Sequence, residues 1–305
     1  MTQDQSRLIG LPDRRLLLGR FTRSAPTFDS ADIIHSEARS RMLERLPFFE
    51  LKPRRVLDLG SATGKGTIEL NALYPNAKVL AIDLAAPMAS ITKNRCSSLD
   101  SVTSLVGDAE KLPLLDDTVD LIFANLILPW CDPQGLFQEA ARVLCDGGLM
   151  VFTTVGPDTF QEIRRAWMGI DEHIHVHGFL DMHDLGDTAV RSGLTEPVMD
   201  IDRFKLTYQI RDRLFEDLRA TGATNMAFGR RMQLTSPGRW ENFCSQLEAC
   251  RVEGSLSISI ELVFGLAWGL ASSTKPNDKV VSIPIEDITE ALSSERQSVD
   301  TDDTS

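Results

Sequence analysis

The sequence predicts an α/β protein: a doubly wound, mostly parallel sheet of seven strands with helical lid insertions. Three observations carry that prediction. Between residues 54 and 155, short apolar runs alternate with stretches of helical periodicity. The first run ends in a glycine-containing turn that opens a helix. After residue 155 the rhythm breaks, and two further strand patterns enclose about 47 residues of helical character. Strands joined by helices form parallel βαβ units buried on both faces, and right-handed crossovers wind them outward in both directions.

Taken in order, residues 1–29 are arginine-rich, weakly patterned and read as a separate N-terminal segment. Residues 30–47 read as a helix capped by Asp29 or Ser30, with Ile33, Ile34, Ala38, Met42, Leu43 and Leu46 on one face. Strand 54–60 (RRVLDLG) leads through SATGKG into a helix reaching Leu73. Strand 77–84 is followed by a helix from Pro87 to Cys96. Runs at 102–108 and 119–126 give two more strands, then a helix over 134–144 and a fifth strand at 147–155. Two helical patterns flank HIHVHGF within residues 156–195, and strands are expected at 196–208 and 256–268. The stretches at about 156–195 and 209–255 read as lid insertions over the sheet's carboxyl edge, all within one domain spanning 30–274. Residues 275–305 form an acidic tail for which disorder is the default, because 286–305 holds seven acids and one arginine.

Composition removes several classes. No run reaches the roughly 18 apolar residues of a spanning helix, and the N-terminus (MTQDQSRLIG) lacks a signal-peptide core. Five cysteines without a CxxC pair suggest reduced thiols and a cytoplasmic setting. A net charge of −12 argues against nucleic acid. The charge is nevertheless uneven: residues 203–239 carry eight basic and three acidic groups, a local +5.

The strongest chemical signal is Val56 to Gly66. Gly60 and Gly64 permit close backbone approach, and the helix that follows offers unpaired N–H groups and a positive dipole. Ala62 breaks the G-x-G-x-x-G of a dinucleotide site. Asp83 ends the second strand, where a carboxylate can accept both ribose hydroxyls. Asp108 closes the third strand, and Asn125 ends a fourth that begins near Asp120. Polar groups at successive strand ends share the crevice where such sheets bind ligands.

These residues resemble the class I S-adenosylmethionine-dependent methyltransferases, whose sheet is the seven-stranded Rossmann-like one expected here. The likeness lies in LDLGSATG, AIDL, GDAEKLP, VDLIFANLILPW and ARVLCDGGLMVF. It implies S-adenosyl-L-methionine as cofactor, with Gly60 and Gly64 around its methionyl part, Asp83 at the ribose, Asp108 and Ala109 at the adenine, and Asn125 near the methyl group. Asp58, Ala62 and Leu84 would complete the cofactor site. Ala62 stands where the middle glycine is commoner.

Further segments are similar to the branch that esterifies malonyl-acyl-carrier protein at the start of biotin (pimeloyl) synthesis. They are Phe21, Ala25 and Phe28-Asp29, then NLILPWC (125–131), TTVGPDTFQEIRRAW (153–167), FLDMHDLG (179–186) and LRATGATN (218–225). Pro129, where glutamine is usual, Thr224 and the acidic tail depart from that pattern. The implied partner is an acidic acyl-carrier protein bearing a malonyl thioester, docked by Arg211, Arg213, Arg219, Arg230, Arg231 and Arg239.

A malonyl carboxylate is ionised at neutral pH, so the transfer needs no general base. Arg164 and Arg165 are the expected carboxylate clamp, with Asn125, Trp130 and His175 lining the acceptor pocket. The alternating histidines of HIHVHGF invite a metal reading, but no further ligand at suitable spacing completes a site. Three alternatives stay open: a same-fold methyltransferase for another small molecule, a relative of the arginine hydroxylase that assembles respiratory complex I, or a non-catalytic cofactor-binding protein.

Overall fold

The computed structural model describes residues 12–270. The first eleven residues of the arginine-rich segment and the acidic stretch 275–305 therefore lie outside the described residues. The strands are β1 (Arg55–Leu59), β2 (Lys78–Asp83), β3 (Val102–Val106), β4 (Val119–Asn125), β5 (Leu144–Val155), β6 (Leu194–Tyr208), β7 (Arg251–Val252) and β8 (Ser255–Gly269). They form one sheet ordered β3-β2-β1-β4-β5-β8-β6, with β7 pairing only with β8. β1 to β5 are mutually parallel, and β8 runs antiparallel to both β5 and β6. The seven expected strands make the continuous sheet. The eighth, two residues long, is too short to leave a sequence pattern. It is created by the Glu253-Gly254 turn, whose two positive φ angles (50° and 79°) suit a tight hairpin.

The helices are α1 (Arg14–Ser24), α2 (Ile33–Arg45), α3 (Lys65–Leu73), α4 (Ala86–Arg95), α5 (Pro133–Val143), α6 (Gln161–Trp167), α7 (Met182–Arg191), α8 (Arg211–Ala220) and α9 (Pro237–Glu248). Strand alternation divides the core between the two faces of the sheet. Leu57 and Leu59 join Ile122, Phe137 and Phe152 in one cluster, completed by Leu136 of α5 and Leu185 of α7. Val56 joins Phe123, Met42 of α2, Ile163 of α6 and Phe243 of α9 in the other.

The N-terminal segment differs from the expectation. Residues 14–24 form a regular helix, capped by Asp13, whose side chain accepts the Arg15 N–H at 3.1 Å. Of α1 only Leu17 and Ser24 are buried, which is why the pattern is weak. The helix lies over a cavity, with Phe21 packed on a small cluster of Ala25, Phe28, Ala85 and Met88. The chain just after it is tied to the end of α8, where Thr27 Oγ1 donates to the Ala220 carbonyl at 3.0 Å. The boundary drawn at residue 29 thus cuts through a packed unit. The HIHVHGF stretch is irregular chain rather than a strand, so its histidines do not share a strand face.

Candidate functional site

The carboxyl ends of β1, β2 and β4 converge on one crevice. Gly60 (φ 75°) turns the chain out of β1, and both Gly60 and Ser61 N–H donate to the Ile82 carbonyl, at 2.8 and 3.1 Å. Gly64 (φ 84°) opens α3, with Thr92 pressed so closely that a Cβ there would sit 2.8 Å from its methyl. Ala62 adopts φ 47° at a position where glycine is the easier residue. Its strain is held by two bonds: its N–H to Asp83 Oδ2 (2.9 Å) and its carbonyl from Thr92 Oγ1 (2.8 Å).

Asp83 also accepts the Ala85 N–H through Oδ1 at 2.8 Å. Burial pushes its carboxyl up to about 6, against the pull of those two N–H donors. Behind the turn Asp58 accepts Thr67 Oγ1 at 2.5 Å, and burial, reinforced by Asp83, pushes it up to about 7. At the next strand end Asp108 and Glu110 both receive the guanidinium of Arg14, which reaches down from α1. Arg14, Leu17 and Phe21 thereby roof the cavity that Gly60, Ala62, Asp83, Leu84, Asp108, Ala109 and Asn125 line. Asp58 lines a smaller adjoining recess together with Gly60 and Ser61, and Gly64 lines neither. In that recess Ser61 Oγ is buried without a hydrogen-bond partner.

A second cavity, about 340 Å³, opens on the other side of Trp130. Its walls are mainly apolar, with Phe160, Trp167 and Phe243 prominent. Trp130 and His175, both expected there, do line it. Arg164 and Arg165 do not. Helix α6 turns Ile163, Ala166 and Trp167 inward, so the two arginines fall on its other faces. Arg164 donates to the Pro157 carbonyl (2.8 Å) and lies over the Phe179 ring, while exposed Arg165 bonds Gln161 (2.7 Å). The two arginines expected as a clamp thus stand outside the lining of this cavity.

His175 is engaged as well, bonded to Asp171 at 2.7 Å and stacked on Trp167 at 3.6 Å. Asn125 spends its amide inside the protein, donating to the His35 carbonyl (3.0 Å) and accepting Thr153 Oγ1 (2.7 Å). His35, Leu126 and Trp130 line both cavities. His35 escaped sequence reasoning, and His177 was weighed only as one of the alternating histidines of HIHVHGF. One sits in an ordinary amphipathic helix, the other in a loop that only the tertiary fold brings to the cavity. Arg219 also lines this cavity, exposed. No group of three or more His, Cys, Asp or Glu side chains that could hold a metal occurs among the described residues.

Of the six arginines expected to dock a partner, four are partly spent within the chain. Arg211 pairs with Asp212 (2.8 Å), Arg213 with Glu216 (2.7 Å), Arg230 with Asp13 (3.7 Å) and Arg231 with Asp171 (3.9 Å). Arg219 and Arg239 make no ion pair among the described residues, and they sit on α8 and α9, joined by the Phe215–Trp240 contact at 5.3 Å. No helix among the described residues is long and apolar enough to cross a membrane.

Residues 57–152 match the family model described as a methyltransferase domain. Over 263 residues the chain is 38% identical to the malonyl-[acyl-carrier protein] O-methyltransferase of Gallionella capsiferriformans, covering 84% of this chain and 91% of that one. It is 39% identical over 279 residues to the protein of that name from Nitrosospira multiformis, covering 86% and 91%. Among solved structures, the YcgJ protein from Bacillus subtilis superposes with a TM-score of 0.54 at 15% identity, over 76% of this chain and 100% of that one, a likeness of fold.

Proposed function

The chain belongs to the malonyl-[acyl-carrier protein] O-methyltransferase family, and we infer that it methylates the free carboxylate of a malonyl group carried on an acyl-carrier protein, at the entry to biotin synthesis. The methyl donor is S-adenosyl-L-methionine. The observation that carries the reading is the meeting of two cavities at His35, Leu126 and Trp130, one lined by acids at strand ends and one by apolar side chains.

The residues of the first cavity fit the cofactor. Half-buried Asp83 keeps lone pairs for the ribose hydroxyls, and Asp108 with Ala109 would hold the adenine. Unpartnered Ser61 Oγ, with the Gly60–Ala62 turn, would hold the methionyl end. When bound, the cofactor supplies an electrophilic methyl group on a sulfonium.

The rest of the work is positioning. A carboxylate attacks well only after losing water, and the aromatic walls around Trp167 and Phe243 offer it none in return. Because it is already ionised, no residue need remove a proton. The roof of α1 closes the other side. Carrier docking is proposed on the face of α8 and α9, where Arg219 and Arg239 are free to meet an acidic partner while Arg211, Arg213, Arg230 and Arg231 reinforce the field. The five cysteines, all free, accord with the cytoplasmic setting proposed for it.

Mass spectrometry tests the reaction directly. Malonyl-loaded carrier protein incubated with enzyme and cofactor is expected to gain one methyl, about 14 Da, lost again in mild base as an ester would be. An unchanged mass with cofactor bound returns the case to a same-fold enzyme for another molecule or to a non-catalytic binder. For docking, Arg219→Glu combined with Arg239→Glu should raise the KM for the carrier substrate roughly 10-fold at low salt and leave cofactor Kd unchanged. The difference should shrink as salt is added. Equal KM values for wild type and double variant would remove this face from consideration.

A further inference from the structure

The carboxylate must be held where the two cavities join, and few polar groups there are uncommitted. Tyr208 already donates to Asp217 at 3.1 Å, and Asn225 donates to the Ile174 carbonyl (2.6 Å) while accepting the Ala227 N–H (3.1 Å). His177 accepts the Met226 N–H on Nε2 at 2.8 Å, and its Nδ1 is shut in without a partner. His35 is different. It lines both principal cavities and the recess beneath the β1 turn, and neither ring nitrogen has a hydrogen-bond partner among the described residues. Its Nδ1 is enclosed, which leaves Nε2 as the atom that can serve a ligand.

The surroundings fix both its place and its charge. Asn125 grips the His35 carbonyl, tying this turn of α2 to the end of β4, and the Phe28 ring packs against the imidazole at 4.8 Å. Burial holds the ring near 4, with Asp32 opposing and Arg39 assisting, so it is neutral at physiological pH. A neutral imidazole with a buried, unpaired Nδ1 can carry its proton on Nε2 and donate it.

We propose that His35 is the acceptor-binding residue at the junction, its Nε2–H donating to one oxygen of the substrate carboxylate while the other oxygen stays free to attack. This rests on the carboxyl methyltransferase reading above. A neutral donor suits the task better than an arginine fork would. It orients the anion without neutralising the electron pair that must form the new C–O bond, the methyl leaving sulfur as that bond forms. Trp130, whose indole N–H has no partner among the described residues, flanks the same junction.

The test compares His35→Gln with His35→Met, two side chains of similar size of which only glutamine places an N–H near the Nε2 position. Malonyl-carrier methylation and cofactor Kd are measured for both and for wild type. His35→Met should lose about 10- to 100-fold in kcat/KM for the carrier substrate, the worth of one hydrogen bond to a charged group, with cofactor Kd within twofold of wild type. His35→Gln should recover most of that loss. Equal activity in the two variants, or a fall in cofactor affinity that matches the fall in kcat/KM, overturns the assignment. An inactive wild type would instead overturn the reaction itself, so the two failures are distinguishable.

Discussion

Asp83→Asn is expected to weaken S-adenosylmethionine binding by about 100-fold or more, measured by titration calorimetry at pH 7.5. The carboxylate does two jobs. It accepts the N–H groups of Ala62 and Ala85, which shape the turn and the start of α4, and it is the acceptor proposed for the ribose. An asparagine keeps the volume but turns an NH2 toward one of those backbone donors or toward a ribose hydroxyl. Each charge-assisted bond lost costs about 1.5–3 kcal/mol, so losing two spans roughly two to four orders of magnitude in Kd. Affinity in the variant within threefold of wild type would remove Asp83 from the cofactor site.

The same residue sets a pH dependence. With its carboxyl pushed up to about 6, wild-type affinity should strengthen from pH 5 to pH 7 as the ionised acceptor forms, and the Asn variant should lack that rise. Ligand-free stability runs the other way. Asp58 and Asp83 both bind protons more tightly folded than unfolded, so their contribution is full below about pH 4. It fades as pH climbs through about 6 and 7.

Gly265→Ala is expected to cost about 3 kcal/mol, a fall in Tm of roughly 6–12 °C, read by thermal unfolding. Gly265 lies in β8 between Phe152 of β5 and Met199 of β6. A Cβ there would stand 2.1 Å from Phe152 Cζ and within 2.7 Å of two more ring atoms. The ring cannot step aside, being fully buried and packed on Phe137 at 5.3 Å. Adding Phe152→Leu to the Ala variant should restore part of the loss, giving a coupling energy of opposite sign to the single cost. A Tm unchanged by the methyl group would mean that the strands have slack the geometry denies.

The parts of the fold that were legible are those where burial writes itself into the chain. β1, β2, β4 and β5 read as apolar runs because helices cover both faces of the sheet there, whereas β3 is an exposed edge strand, and Asp83 and Asp108 stood out because they follow strand runs. Helix α1 was not legible. It buries little, and its work is done by Arg14 and Phe21 against a cavity that no periodicity encodes. For Arg164 and Arg165, motif likeness gives position along a helix but not rotation about it, so their absence from the cavity lining was not legible. His35 illustrates the complementary limit. An isolated histidine in an amphipathic helix carries no mark of its function until β4, through Asn125, is seen to hold the turn it stands on.

The placement of β8 has a consequence for how the molecule is made. The strand nearest the end of the described chain sits between β5 and β6, seven residues of β5 and thirteen of β6 finding their partners in it. Until residues 255–269 have left the ribosome, the methyl-donor half presents the open, apolar edge of β5, and β6 has nothing to pair with. Folding therefore waits on long-range contacts made late in synthesis, which slows it and lengthens the time an adhesive edge is exposed. A nascent chain stalled before Ser255 is a candidate for chaperone capture rather than a smaller working enzyme.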